Sequence, residues 1–520
     1  MERFSENQLR YGKVGFMSKL FALVVGLLLF HSVGFAFAKD FFIAQNTAGN
    51  SNGSSCANAL AVSFFNSAGN WGAGATQIGP GTTVHLCGTL TTSLFAQASG
   101  TSGNPITILF EAGGNLSQPF CPGTGCLNIN NRSNIVVDGG TNGIIQATAN
   151  GTVLANKQLG VGLSASPCQN CEVRNLTIAN IYVHTSVTDD ILDHTLLNSI
   201  IMSGSNWLFH DNTLHDAGWC IKNFYQNGDT NVKVYNNNIY NCDHGYSAAG
   251  YGAISATQFF FYNNHVHDYA NWDTTSNRYH HDGVHAFGAG GASLTGLQIY
   301  NNVFDGNTGN NFTSHIYLEK PDSSPSLTNT LIFNNIVDGT NQPGGNFGLI
   351  TDARTTGTKI YNNTIIGVNR NGSYCIIVSA GDTSIKNNVM SGCWAGIFQY
   401  QAAPSVTLDT NIYANIGSCG VGYSFTANCY GTLASWQTYS GQDVHSQLVP
   451  SADLNTNYQP NSSSPVIRAG VNLTSLGITA LTSDKGGILR PANEAWDAGA
   501  LQFAVPTSTP NPPTNLKVIQ

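Results

Sequence analysis

The sequence predicts an all-β fold, a single-stranded right-handed parallel β-helix or β-solenoid of about ten or more coils. Three observations predict it. The 520 residues exceed what one hydrophobic core needs, so the chain is either several domains or one elongated repeat. Charged residues make up only 9% of the chain and hydrophobic ones 41%, so its wet surface must be built from Asn, Ser, Thr and Gly. Long helices would need far more Glu and Lys than 20 Lys plus Arg and 28 Asp plus Glu supply. The third observation is a repeat in which alternating apolar residues run into an Asn and then a second short apolar stretch.

Taken in order, the chain begins with Lys19, the apolar run Leu20 to Phe30 and the small-residue site Ala36-Phe37-Ala38, which read as a signal peptide over 1–38 cleaved after Ala38. Met17 is an alternative start. The apolar run is short for a membrane span and no second one follows, so the mature chain is expected to be secreted or at the cell surface. All 12 cysteines lie beyond Ala38, as suits an oxidising compartment. Their spacing suggests that Cys220/Cys242 and Cys375/Cys393, 22 and 18 residues apart, staple neighbouring coils. Cys121/Cys126, Cys168/Cys171 and Cys419/Cys429 suit local clips, and Cys56/Cys87 an N-terminal cap. Zinc on Cys168 and Cys171 is the rival use of that pair, without a second matching pair nearby.

The repeat is anchored at Asn175, Asn212, Asn237, Asn264, Asn302, Asn335, Asn363, Asn388 and Asn411, at intervals from 23 to 38 residues. Short intervals fit one coil, long ones a coil carrying a loop. Such units must stack to bury their apolar sides, and an Asn recurring at one bend can hydrogen-bond to its equivalents above and below. This divides the chain into an N-terminal cap and first coils (39–115), a central β-helix (116–430), C-terminal coils and cap (431–503) and a Pro-rich flexible tail (504–520).

The pattern resembles the secreted pectin-lyase-fold superfamily of pectate lyases, polygalacturonases, chondroitinase B and alginate-modifying enzymes. The resemblance runs over about residues 40 to 503. Residues 80–114 are similar to the opening coils of such proteins, and Ser464 to Gly470, Asp484, Arg490-Pro491 and Asp497 to Ala500 to their closing segment. It implies an extracellular polysaccharide as partner. The paired-Asp and Gly-His-Gly motifs of polygalacturonases and the Asp-Pro-His-Asp motif of mannuronan epimerases are missing from the sequence. Asp189-Asp190 and Asp193-His194 could hold calcium as acidic residues do in pectate lyases.

Histidine points to a site: 10 of 14 fall between His184 and His285, most densely in NRYHHDGVHAFG, residues 277–288. Aligned on the Asn anchors, His215, Tyr240, His267, Asp305 and Asp338 form one column, with Asp216, Asn241 and Asp268 beside it; the following strands add Lys222, His244, His285, Tyr317, Glu319, Asp352 and Arg354. Together these predict a polar strip edged with aromatics, suited to a sugar chain. Asp282, His281, His285, Lys222, Glu319 and Arg354 are the expected catalytic groups, and Tyr240, His244, His267, Asp268, Trp272, Tyr317 and Lys320 the expected substrate contacts. A lyase would use a base plus a cation from among Lys222, His285, Lys320 and Arg354; a hydrolase would pair Asp282 with Asp268, Asp273 or Glu319. A divalent metal, calcium or zinc, on His280, Asp282 and His285 is a third chemistry. Lyase action on a uronate-containing polysaccharide leads, with a non-catalytic carbohydrate-binding or adhesin-like solenoid as alternative. A net charge of -8 gives no general attraction to nucleic acid, and no Gly-rich phosphate loop suggests an organic cofactor.

Overall fold

The computed structural model describes residues 39–151, 158–188, 194–275, 280–323, 326–343, 348–353, 355–370, 372–379, 382–399, 406–417, 423–425, 428–429 and 432–504. The expected leader, the tail beyond 504, Asp189, Asp190, Asp193, Arg354 and Cys419 lie outside them, as does the side chain of Cys429. Among the described residues no helix is long and apolar enough to cross a membrane.

One coil shows how the sequence winds. Thr230–Tyr235 forms a first strand, Asn236 turns the chain at φ 56°, Asn238–Tyr251 continues as one long strand bent at Asn241 (φ 52°), and Ser255–Tyr262 begins the next coil. Asn and Asp occupy these corners because their short polar side chains tolerate the left-handed region that other L-residues avoid. Each strand pairs in parallel with its equivalent one coil on, giving a sheet of 16 strands on the first face and one of 24 that takes in the other two. The expected parallel β-helix is what forms.

Inside, apolar residues stack in columns set by register. Val234, Phe261, Ile299, Ile332, Ile360, Ile385 and Leu408 make one. Ile239, Val266, Phe304, Val337, Ile365, Met390 and Tyr413 make the second, and Tyr246, Val284, Ile316, Ile350, Ile376 and Ile397 the third. All are buried. Stacking like on like keeps the cross-section constant from coil to coil, the condition for continuous close packing.

The Asn ladder is real, and it is one residue out of phase with the sequence reading at its first rung. Asn212, Asn237, Asn264, Asn302, Asn335, Asn363, Asn388 and Asn411 point inward, each Oδ1 accepting from the backbone N–H of the coil before. Each Nδ2 donates to a strand carbonyl such as Val234 O or Phe261 O. Asn175 is not a rung: at φ 55° it stands in the corner column with Asp211, Asn236 and Asn263, and Leu176 takes the rung position, donating its N–H to Asn212. Each Asn pair in the sequence is thus two devices, a corner and a rung.

Five disulfides form as expected: Cys56–Cys87, Cys121–Cys126, Cys168–Cys171, Cys220–Cys242 and Cys375–Cys393. Cys168 and Cys171 are therefore bonded to each other rather than to zinc. After a capped helix, Leu433–Ser440, and a last coil strand, Gln447–Val449, the chain folds back along earlier coils. The residues singled out in the closing segment hold it there. Arg490 donates to Asn334 Oδ1 and to the carbonyls of Asp497 and Gly499, Asp497 accepts from the N–H groups of Arg468 and Phe503, and Asp484 from those of Ile488 and Gln502.

Candidate functional site

The site is built on the third face, where Thr213–Phe224, Asn238–Tyr251, His281–Ala289 and Phe312–Glu319 lie side by side. Register sets Trp219, His244, Asp282 and Ser314 in one row and Lys222, Ser247, His285 and Tyr317 in another. Phe287 neighbours Glu319 in a third. Close approach of the coils demands Gly at the centre: a Cβ on Gly245 would lie 2.6 Å from Gly283 O, and one on Gly283 2.5 Å from His315 O.

Before the third of these strands the chain detours through the loop that follows Asp268. Trp272 anchors this loop, wholly buried against Tyr182 and Leu197, with its indole N–H on Asn241 O. Asp273 accepts N–H bonds from Asn310 and Asn311, and His281 bridges Asp273 and Asp243 at 3.0 and 2.8 Å. Burial works against the His281 proton, yet hydrogen bonds to the two carboxylates raise its pKa; burial would likewise raise Asp273, but its bonds from His281 and from the N–H groups of Asn310 and Asn311 lower it.

Four side chains converge above this floor. Asp282 Oδ2 lies 2.8 Å from His280 Nδ1, 3.4 Å from His244 Nε2 and 3.9 Å from His285 Nδ1, and the His244 and His285 nitrogens are 3.1 Å apart. Behind them, Asp243 Oδ2 meets His244 Nδ1 at 2.6 Å and His194 Nδ1 at 2.5 Å. Burial alone would raise the Asp243 carboxyl, but its two histidines hold it well below the usual carboxylate range. Burial pushes His244 down to about 4 despite Asp243, while Asp282 overcomes burial to lift His280 to about 9.

The cluster opens to solvent at its far end. His285 Nε2 donates to Glu319 Oε2 at 2.9 Å, and the Tyr317 ring stacks on His285 at 5.1 Å. Glu319 is 29% exposed in its side chain, against 0% for Asp243 and Asp282 and 11% for Asp273. Beside it stands an aromatic shoulder: Tyr251, 54% exposed, stacks on Phe224 and meets Phe287 edge-on. Burial, and then the Glu319 charge, raise the Tyr251 pKa. Lys222 donates to Thr195 O with its ammonium 5.2 and 5.4 Å from the Trp219 and Phe224 rings.

Of the expected site residues, the structure joins His244, His280, Asp282, His285, Tyr317, Glu319 and Lys222. It separates others. Tyr240 and His267 stand before the Asn241 and Asp268 corners, on the second face, stacked with each other and with His215. Asp268 is a corner residue at φ 56° that accepts from His267 and from Asn307 N–H. The single strip read from the sequence is thus two strips divided by a bend. Trp272 offers no ring to solvent, and His281 is wholly buried. Lys320 lies half-buried just past its strand, and Arg354 is outside the described residues. The sequence reading missed Asp243, His194 as its partner, and the Phe224–Tyr251 shoulder. A signal for Asp243 was present: Asp243-His244-Gly245 and His281-Asp282-Gly283 align Gly on Gly in adjacent coils.

No family model matches the chain, and no curated protein is similar in sequence. Among solved structures it is similar to XylC in complex with xylose (11% identity, 89% of this chain, 98% of that one, TM-score 0.49). It is also similar to a GH136 lacto-N-biosidase from Eubacterium ramulus (10%, 75% and 67%, TM-score 0.41) and to pectate lyase Pel9A (14%, 91% and 98%, TM-score 0.33). The parallel ladders carry the fold by themselves: the chain is a parallel β-helix.

Proposed function

We propose that this chain is a secreted enzyme that cleaves a uronate-containing polysaccharide by β-elimination at the mouth formed by Tyr317, Glu319 and the Tyr251 shoulder. The observation that carries the reading is the unequal exposure of the carboxylates. Hydrolysis needs two carboxyl groups flanking the glycosidic bond, and here Asp243, Asp273 and Asp282 are enclosed while Glu319 alone of the four reaches solvent appreciably. Elimination needs one base and one acid. Glu319, oriented by the His285 N–H, takes the proton from the carbon bearing the uronate carboxylate. The bond to the leaving oxygen breaks as the ring double bond forms, and the Tyr317 hydroxyl supplies the proton to that oxygen. The exposed Tyr251 ring offers a sugar an apolar face to stack on, and Lys222 carries a positive charge further along the same face, three coils before Tyr317.

The test is incubation of the purified mature chain with neutral and acidic polysaccharides, following absorbance near about 235 nm, where the unsaturated product absorbs, alongside reducing ends. Absorbance rising with reducing ends is expected, and Glu319→Gln and Tyr317→Phe should each slow it by about 10²–10⁴-fold with the fold intact. Reducing ends without absorbance would replace elimination by hydrolysis. Retardation in a polysaccharide gel without cleavage would leave a binding solenoid in its place.

A further inference from the structure

We infer that His244 Nε2, His280 Nδ1, Asp282 Oδ2 and His285 Nδ1 form a binding site for one divalent first-row transition ion of the zinc class. These four donors come from two adjacent coils and lie within 4.8 Å of one another. A tetrahedral ion with bonds of roughly 2.0–2.1 Å requires donors separated by about 3.3 Å. Four of the six separations are 3.1 Å for His244–His285, 3.4 Å for His244–Asp282, 2.8 Å for His280–Asp282 and 3.9 Å for His285–Asp282, and the two from His280 to the other imidazoles are within 4.8 Å. They bracket the required edge, so small side-chain rotations would close the cage.

An independent observation points the same way. A metal-bound imidazole gives its other ring nitrogen to a carboxylate or carbonyl, which fixes its tautomer and orientation. Two of the three histidines are held so: His244 Nδ1 on Asp243 at 2.6 Å, and His285 Nε2 on Glu319 at 2.9 Å. The ligating carboxylate is fixed as well, its Oδ1 accepting from Ser314 N–H at 3.2 Å. Three imidazoles and one carboxylate oxygen suit zinc or a neighbouring first-row ion. They do not suit calcium, which takes six to eight oxygens. The set extends the three residues expected from the sequence by His244, contributed by the preceding coil. The consequence for cleavage rests on the elimination reading: an ion on His285 Nδ1 polarises the imidazole that holds Glu319.

The experiment uses the full mature chain, dialysed against chelator and titrated calorimetrically with zinc, manganese and calcium chlorides, with metal content measured as purified. One zinc per chain is expected, with no calcium heat, and at least 100-fold weaker binding in His280→Ala, whose side chain is 47% exposed and whose loss should leave the fold intact by circular dichroism. Asp243→Asn, outside the cage, should cost about 10–100-fold. His445→Ala, remote from the cluster with its ring 73% exposed beside Asp409, should bind as the parent does. Absence of zinc binding, zinc binding unchanged in His280→Ala, or calcium bound as tightly as zinc would each overturn the site. Tyr317→Phe separates the two claims: it should retain zinc while losing cleavage. A parent that binds zinc but cleaves no polymer would sink the elimination reading and leave the metal site standing.

Discussion

Replacing Asn264 by Ala tests whether the inward ladder or the mere presence of Asn-rich turns holds the coils together. Asn264 Oδ1 accepts from both the backbone N–H and the Nδ2 of Asn237, each at 2.9 Å, and its own Nδ2 donates to Val234 O at 3.0 Å and Asn302 Oδ1 at 3.2 Å. Truncation leaves the Asn237 N–H without an acceptor in a dry interior. That orphan costs about 1–3 kcal/mol, and the other lost bonds about 0.5–1.5 kcal/mol each. A total of roughly 3–5 kcal/mol is the expectation, since Asn237 Nδ2 keeps Phe209 O. The neighbouring Asn263 is the control. It sits at φ 56° on the exposed corner, where Gly is equally at home, so Asn263→Gly should change stability by only a few tenths of a kcal/mol.

A repeat array of this length need not unfold in one step, so the assay is the rate of unfolding in urea together with amide exchange read on the peptide spanning 234–240. Asn264→Ala should accelerate unfolding and expose the Asn237 amide, whereas Asn263→Gly should do neither. Equal effects from the two, or parental exchange at Asn237 in Asn264→Ala, would refute the distinction between rung and corner.

Three further variants probe other parts of the fold. Gly283→Ala places a Cβ 2.5 Å from His315 O between adjacent coils, so the strand carrying Asp282 and His285 must shift and both zinc affinity and turnover should fall while far-ultraviolet dichroism stays parental. Burial raises the pKa of Asp352 against the hydroxyls of Thr355 and Thr383. For an acid raised on folding, stability is greatest below the ordinary aspartate pKa and declines as pH climbs through the folded value, so Asp352→Asn should flatten that decline and gain stability at pH 7; an unchanged pH slope would count against it. Arg490→Ala removes bonds to Asn334 Oδ1 and two carbonyls inside the fold-back segment, and should free that segment to limited proteolysis ahead of the coils, at a cost of roughly 2–4 kcal/mol.

Much of the fold was legible because a solenoid writes its geometry into the sequence once per coil. The apolar alternation gave the strands, and the Asn intervals gave the coil length. The phase slip at Asn175 shows the limit: Asn serves both as corner, for its backbone, and as rung, for its amide. Only the pairing of Leu176 with Asn212 tells which one a single Asn is. In FYNNHV both are present, and Asn263 and Asn264 fall into their two roles without ambiguity.

The site was less legible because linear columns do not know where the chain bends. Tyr240 and His244 are four residues apart in one strand, yet the corner at Asn241 turns them onto different faces, and the same corner at Asp268 separates His267 from His281. Column arithmetic therefore merged a surface stack of rings with an enclosed cluster of charges. Nor does residue type reveal which member of a cluster meets solvent. Asp282 stood out in the sequence for its histidine neighbours, and those neighbours are what enclose it. Glu319, one carboxylate among several in the sequence, is the most exposed of the four, one row beyond His285 and Tyr317. Chemistry in such a fold is set by where a row ends: the coils supply a rigid, repeating floor, and the residue at the margin of the floor is the one a polymer can reach.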